Sequence, residues 1–152
     1  LGRSQRLLLP RLAPLARQEG FYLAGGTALA LQLGHRRSVD FDWFREDPID
    51  DPLRPAALED IAAMKLAAVA QRGSKKDFVD VFALGRRFGL GDMLASYRKK
   101  YGVEDVGHVL VALAYFDDAD RERTPMLLQR QSWPDVKATI RGWVTGETRG
   151  RR

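Results

Sequence analysis

Only two short stretches of this 152-residue chain have the pattern of β-strands, and both lie within the first 45 residues. Phe21–Ala24 is a compact apolar run followed by two glycines, which is typical of a buried strand that enters a tight turn. Ser38–Phe44 alternates with the period of two that a strand requires, so Asp40 and Asp42 are expected on one face. The apolar positions of that segment are expected to enter the core: Val39, Phe41 and Trp43. The chain can therefore build no more than a small sheet.

The remaining apolar spacing is helical. Before the sheet, leucines repeat through Gln5–Gln18. Between the strands, Thr27 is a suitable N-cap for a helix over Ala28–Leu33 that Gly34 closes. Later helices are predicted over Ala57–Arg72, Lys76–Phe88, Asp92–Tyr101, Glu104–Phe116 and Trp133–Val144, with a break at Pro125. The predicted class is α+β, with an α/β head at residues 1–56 and a helical body with a basic tail at 57–152, joined in one compact unit.

Composition excludes several classes of protein. The chain has no cysteine, so it can form neither a disulfide, nor a thiolate zinc site, nor a cysteine nucleophile. No apolar run approaches the roughly 20 residues that a membrane helix needs, and the first ten residues lack a signal-peptide cleavage pattern. We expect a cytoplasmic protein that makes no use of a membrane.

Charge is distributed unevenly along the chain. Of the net charge of +5, the whole excess lies in the last 32 residues, which hold eight basic groups against three acidic ones. Residues 40–60 are negatively charged, with eight carboxylates against two arginines. A divalent cation is favoured near the acidic segment, and a polyanion such as RNA is favoured near the C-terminal segment.

Two acids and two glycines form the most specific pattern. Asp40 and Asp42, two positions apart on a strand, lie roughly 6 to 7 Å apart and can share a hard divalent cation. Gly25 and Gly26 allow backbone amides to approach a phosphate, and the helix that follows directs its positive N-terminus to the same place. Such a pairing of metal site and phosphate site is what phosphoryl and nucleotidyl transfer require.

These residues resemble the signature of a known family. Leu23–Leu31 together with His35–Phe44 is similar to the first conserved block of the AbiEii/AbiGii toxin family of nucleotidyltransferases, which has the polymerase-β-like superfold. Met64–Asp80 resembles the second block of that family, and Leu113–Ala119 resembles its C-terminal helical part. The resemblance covers most of residues 20 to 144.

The resemblance implies a fold, a reaction and roles for particular residues. It implies a nucleotidyltransferase-like sheet and a Mg²⁺-dependent enzyme, with Mn²⁺ as an alternative metal. Such an enzyme transfers a nucleoside monophosphate from an NTP to an acceptor such as RNA or tRNA, as the toxin partner of an antitoxin protein. Asp40 and Asp42 would hold the metal, Lys65 would contact a triphosphate oxygen, and Asp77 would complete the site. The nucleotide-binding candidates are Gly25, Gly26, Thr27, Ser38, Lys65 and Arg72.

Residue spacing supports part of this set. Lys65 and Arg72 are seven apart on one predicted helix, and Asp77 and Asp80 are three apart on the next, so each pair shares a helix face. A hairpin at Gly73 would bring these polar faces together. The same hairpin would turn three apolar side chains inward: Phe78, Val81 and Phe82.

Structural alternatives stay open for several candidates. Asp77 fits a capping box with Ser74, Lys65 fits a solvated position, and Arg72 fits a charge at a helix C-terminus. Ser38 fits a turn residue. Three further expectations concern residues outside the main set: His35 bonds a carbonyl or carboxylate near the substrate, Asp117, Asp118 and Asp120 are solvated, and Trp133 packs.

The connection between the Asp40 strand and the Lys65 helix is short for this family. Members usually place further strands there, one of them with a third carboxylate, whereas residues 45–57 contain three prolines and cannot form two strands. Glu46, Asp47, Asp50 or Asp51 would then have to replace the missing acid. Two other hypotheses follow: a degenerate, non-catalytic member that binds a protein or RNA, and a plain RNA-binding helical module.

Overall fold

A computed structural model describes residues 2–45 and 57–150. Within these ranges the chain forms two strands and eight helices. In chain order they are α1 (Arg3–Gln18), β1 (Phe21–Ala24), α2 (Gly25–Leu33), β2 (Asp42–Arg45), α3 (Leu58–Gln71), α4 (Lys75–Phe88), α5 (Leu90–Tyr101), α6 (Gly107–Ala114), α7 (Asp117–Arg121) and α8 (Trp133–Arg149).

The sheet consists of β1 and β2 in antiparallel register, with Phe21 opposite Arg45 and Ala24 opposite Asp42. β2 begins at Asp42, so the prediction of a strand from Ser38 is wrong for its first half. The register supplies the reason: the partner of Asp42 is the last residue of β1, and the chain enters α2 at the next residue. Residues before Asp42 have no strand to pair with, and Val39 is 76% exposed instead of entering the core.

Helix α2 begins at Gly25, two residues before the predicted N-cap. Gly25 has φ +65°, a left-handed conformation that glycine adopts without steric cost. Thr27 is therefore inside the helix rather than at its start. The predicted end is confirmed, because Gly34 caps α2 in the left-handed conformation and its N–H donates to the carbonyl of Ala30.

The helical body is built around α3. Helices α4, α5 and α6 all pack against it, and α8 packs against α4, α5 and α6. Gly73 at φ +57° turns the chain from α3 into α4, as the hairpin predicted. The three side chains expected to face inward from α4 are buried: Phe78, Val81 and Phe82.

The helix predicted over Glu104–Phe116 is shorter in the structure, where α6 covers Gly107–Ala114 and Tyr115 is extended. A further short helix that was not predicted, α7, begins at Asp117. The break places the ring of Phe116 in the core, 4.7 Å from the ring of Phe78. Trp133, at the start of α8, packs against both rings at centroid distances of 5.9 and 6.0 Å, as expected.

One hydrophobic core joins the sheet to the helical body, because buried residues of β1 and α2 are continuous with those of α3 to α8. The described chain is mostly helical with one two-stranded antiparallel sheet, which confirms the predicted mixture of a small sheet and a helical body. Among the described helices, none combines the length and the apolar character that crossing a bilayer requires.

Candidate functional site

The two glycines at the start of α2 lie under charged side chains. A Cβ added at Gly25 would lie 2.8 Å from Cγ of Asp42, and one at Gly26 would lie 2.6 Å from Nη2 of Arg36. At Gly25 a Cβ would also lie 2.9 Å from Cβ of Asp42, which cannot move without the backbone, so glycine is required there. At Gly26 a Cβ would displace only the guanidinium end of Arg36.

A buried hydroxyl pair fixes the segment that precedes Asp42. The Thr27 hydroxyl donates to Oγ of Ser38 over 2.9 Å and also contacts the carbonyl oxygen of Asp40. Thr27 is wholly buried, so its side chain is not available to a phosphate. The structure thus corrects the predicted role of Thr27: it holds residues 38 to 40 against α2. Ser38 keeps a place on the cavity described next.

A cavity of about 550 Å³ opens beside the N-terminus of α2 and brings most of the predicted residues together. Its charged lining comprises two carboxylates and five basic side chains. The predicted members are Gly26, Ser38, Asp40, Asp42, Lys65 and Arg72. The further charged members are Arg36, Arg37 and Lys76, and Pro125 and Met126 also line it. We call it the basic cavity.

Asp40 and Asp42 both face the basic cavity and are both exposed. The side chain of Asp40 is 67% exposed and lies 3.8 Å from Nζ of Lys76, its ion-pair partner. Within the described ranges, no cluster of three or more acids or histidines surrounds this pair. The four acids expected to supply a third ligand lie outside the described residues: Glu46, Asp47, Asp50 and Asp51.

Helices α3 and α4 bring their polar faces together at Asp77. Its carboxylate accepts hydrogen bonds from Nζ of Lys65 over 3.1 Å and from Nε and Nη2 of Arg72 over 2.7 and 3.1 Å. Asp77 is fully buried and does not line the basic cavity. Its carboxylate orients two cations that do line the basic cavity, and the predicted role of Asp77 in completing the site stays a prediction.

The alternative capping box at Ser74 is also absent. The Ser74 hydroxyl donates to Oδ2 of Asp77 instead of capping α4, and Asp77 uses its oxygens for Lys65, Arg72 and Ser74. In the first turn, the N–H of Lys75 donates to Oε2 of Glu122 over 2.8 Å, so a distant side chain takes the place of the predicted cap.

Asp80 is the centre of a second buried cluster. It accepts from Nε and Nη2 of Arg36 over 2.6 and 2.8 Å, and Nζ of Lys65 lies 2.8 Å from its Oδ2. Nε2 of His35 lies 2.6 Å from its Oδ1, so the expectation that His35 bonds a carboxylate is confirmed. Asp80 thereby joins the loop after α2 to the face of α3 that lines the basic cavity.

Both buried aspartates are held in the ionised form. Burial by itself would raise the pKa of Asp80, but hydrogen bonds from Arg36 and His35 and the charge of Lys65 outweigh it, so that pKa is far below its usual range. At Asp77, burial likewise raises the pKa, but the hydrogen bond from Arg72 and the charge of Lys65 outweigh it, so this pKa is also lowered. The hydrogen bond to Asp77 raises the pKa of Arg72. Against the effect of burial, the pKa of Arg36 is raised as well, chiefly by its hydrogen bond to Asp80, so both arginines stay charged near neutral pH.

Sequence reasoning missed four parts of this site. It left out Arg36, Arg37 and Lys76, although both arginines lie in the basic run 35–37 immediately before the acidic segment. It also left out the segment after Pro125, where Met126 accepts a hydrogen bond from the N–H of Arg37 and Leu128 donates to the carbonyl of His35. The basic run around Arg36 could have identified it as a site residue, whereas no sequence pattern within residues 122–131 indicated that this segment forms a cavity wall.

Comparison with known proteins adds a relationship but no activity. No family model matches the chain, and no solved structure matches it significantly. A protein of Aquifex aeolicus (strain VF5), described as uncharacterized protein aq_aa25, is 33% identical over 177 aligned positions that cover 80% of this chain and 86% of that protein. The chain belongs to the same family as this Aquifex protein. Since 177 positions exceed the 152 residues of this chain, the Aquifex relative carries residues that have no counterpart here.

Proposed function

We propose that the protein is a Mg²⁺-dependent nucleotidyltransferase that transfers a nucleoside monophosphate from an NTP to an acceptor. One observation carries the proposal: Asp40 and Asp42 share the basic cavity with five cationic side chains at the start of a helix. A site for a metal-bound triphosphate needs carboxylates to bind the metal and cationic side chains beside them to bind the phosphates.

The donor set suits magnesium, or manganese as the alternative metal. Mg²⁺ is usually held by one or two carboxylates and completed by water and substrate phosphate oxygens, so Asp40 and Asp42 are a sufficient protein contribution. Both carboxylates are exposed toward the basic cavity. When bound, the metal supplies neutralisation of phosphate charge and orientation of the reacting oxygens.

The cations of the basic cavity bind and orient the triphosphate. Lys65 is 7% exposed and is held by two carboxylates, so its ammonium group is fixed before the substrate arrives. Arg36 is fixed in the same way by Asp80, and Arg72 by Asp77. Lys76 is half exposed and can adjust its position to the phosphates. Preorganised charge of this kind stabilises charge that develops in the transition state. The N-terminus of α2, at Gly26, adds to the positive potential.

The family resemblance refines the proposal. On this resemblance, the small sheet corresponds to part of a polymerase-β-like sheet. The Aquifex relative has residues with no counterpart in this chain, which supports the view that other members of its family are longer. An RNA such as tRNA is the proposed acceptor because the basic excess lies in the C-terminal segment. An antitoxin protein is the proposed partner on the resemblance alone.

Label transfer tests the proposal. Purified protein is incubated with each labelled NTP, Mg²⁺ and total tRNA, and incorporation is measured for wild type, Asp40→Asn and Asp42→Asn. We expect transfer by wild type and a loss of about a hundredfold or more in either variant. Asp117→Asn is the matched control, because Asp117 is an exposed acid that does not line the basic cavity. Equal transfer by wild type and Asp40→Asn would refute the proposal.

A second candidate is a degenerate, non-catalytic member that binds RNA or a protein. The observation in its favour is the lack of a third acid near Asp40 and Asp42 among the described residues. It predicts that total tRNA raises the melting temperature while Mg-NTP leaves it unchanged. The enzyme predicts the opposite for Mg-NTP, with the increase abolished by EDTA.

A further inference from the structure

A second cavity of about 220 Å³ lies beside the basic cavity, on the side of β2 and α3. The two cavities share Asp42, Lys65 and Arg72. At the start of α2, Gly25 lines the smaller cavity and Gly26 the larger one. A ligand that extends past these shared residues would occupy both spaces.

The two linings differ in chemistry. The described lining of the basic cavity has five cations and no aromatic ring. The smaller cavity adds an aromatic ring, a thioether, a methyl group and an amide, from Phe44, Met64, Ala68 and Gln71. The ring of Phe44 is 39% exposed and Gln71 is exposed at the end of α3, so both remain available to a ligand.

We propose that the smaller cavity binds the nucleobase of the incoming NTP, with the base stacked on Phe44 and its edge hydrogen-bonded by Gln71. This inference rests on the proposed function, which places the triphosphate in the basic cavity. A planar base with a polar edge matches a ring and an amide, because aromatic faces stack on any base and amides pair with base edges. Phe44 therefore contributes affinity for every NTP, and Gln71 contributes discrimination among them.

A nucleobase site in the smaller cavity predicts that substitutions there weaken binding of nucleotides without weakening binding of the triphosphate group alone. We would measure binding of ATP, GTP, CTP, UTP and inorganic tripolyphosphate, each with Mg²⁺, by calorimetry. Phe44→Ala should weaken all four nucleotides by about tenfold, the usual effect of removing one base-stacking ring, and leave tripolyphosphate unchanged. Gln71→Ala should make the four nucleotide affinities more nearly equal. Retained tripolyphosphate binding shows that each variant is folded at the site.

Two control variants and one rescue variant complete the experiment. Tyr115→Ala removes an exposed ring and Gln18→Ala an exposed amide, and neither residue lines a cavity described above. Phe44→Trp should restore nucleotide affinity, because it returns an aromatic face. Unchanged nucleotide binding by Phe44→Ala and unchanged discrimination by Gln71→Ala would overturn this inference alone. If the wild type bound neither nucleotides nor tripolyphosphate, the proposed function and this inference would both be wrong.

Discussion

At the scale of single residues, Asp80 controls the arrangement of charge. Its carboxylate is fully buried and contacts Arg36, His35 and Lys65, which come from two different parts of the chain. Two of these partners, Arg36 and Lys65, also line the basic cavity. A buried acid of this kind stabilises only while it keeps its cations, because a buried arginine or lysine would otherwise be a charge without compensation.

Asp80→Asn is expected to lower the free energy of unfolding by about 3 to 5 kcal/mol, because it leaves the buried Arg36 without its counter-charge and Lys65 with Asp77 alone. Urea denaturation at neutral pH measures the change. Asp60→Asn is the control, since the Lys100 ion pair of Asp60 is on the surface and should contribute less than about 1 kcal/mol. A similar loss in both variants would contradict the central role of the Asp80 cluster.

The lowered pKa values of Asp77 and Asp80 predict an acid-dependent loss of stability. In the unfolded chain an aspartate titrates near pH 4, whereas in the folded protein both groups release their protons at lower pH. The unfolded state therefore binds more protons below about pH 4, and the free energy of unfolding falls as the pH is lowered through that region. Urea denaturation between pH 7 and pH 3 should show this decline, and Asp80→Asn should reduce its slope.

At the scale of elements, helix α2 depends on a glycine at each end. Gly25 and Gly34 have nearly the same backbone conformation, at φ +65° and +59°. They differ in surroundings: a Cβ at Gly25 would collide with Asp42, whereas one at Gly34 would meet nothing within 4 Å. A comparison of alanine substitutions at these two glycines therefore separates the effect of backbone strain from the effect of displacing Asp42.

Gly25→Ala and Gly34→Ala should each lower the free energy of unfolding by about 1 to 2 kcal/mol, because alanine is strained in the left-handed conformation. Only Gly25→Ala should also displace Asp42, and nucleotidyl transfer should fall on the order of a hundredfold. Urea denaturation and the label-transfer assay measure the two effects. Normal transfer by Gly25→Ala would show that the position of Asp42 is unimportant for the reaction.

At the scale of the whole molecule, the basic excess of the C-terminal segment is partly engaged in packing. Lys137 pairs with Asp120 at 2.8 Å, and Arg141 lies 4.9 Å above the ring of Phe116. The three acids of α7 are exposed, as expected. Arg123 and Arg130 are also exposed, and they flank the Pro125 wall of the basic cavity in sequence. We therefore expect these two arginines to contact the proposed RNA acceptor.

The double variant Arg123→Glu with Arg130→Glu should weaken binding of tRNA. It should also lower the slope of log affinity against log salt by about 0.7 to 0.9 for each phosphate that the protein no longer neutralises. Fluorescence anisotropy at several salt concentrations measures the slope. Arg3→Glu with Arg6→Glu, on α1, changes the net charge equally and should have a smaller effect. Equal effects of the two double variants would indicate attraction by net charge alone.

The sequence by itself determined where most elements lie, which α4 side chains are buried, and that the polar faces of α3 and α4 meet at Gly73. These features follow from local periodicity and turn residues, which act over a few positions of the chain. Only the tertiary structure decided that the strand begins at Asp42, that Asp77 is fully buried, and that Asp80 binds Arg36, 44 residues away. Such contacts depend on strand register and on how helices pack, and local periodicity does not specify either.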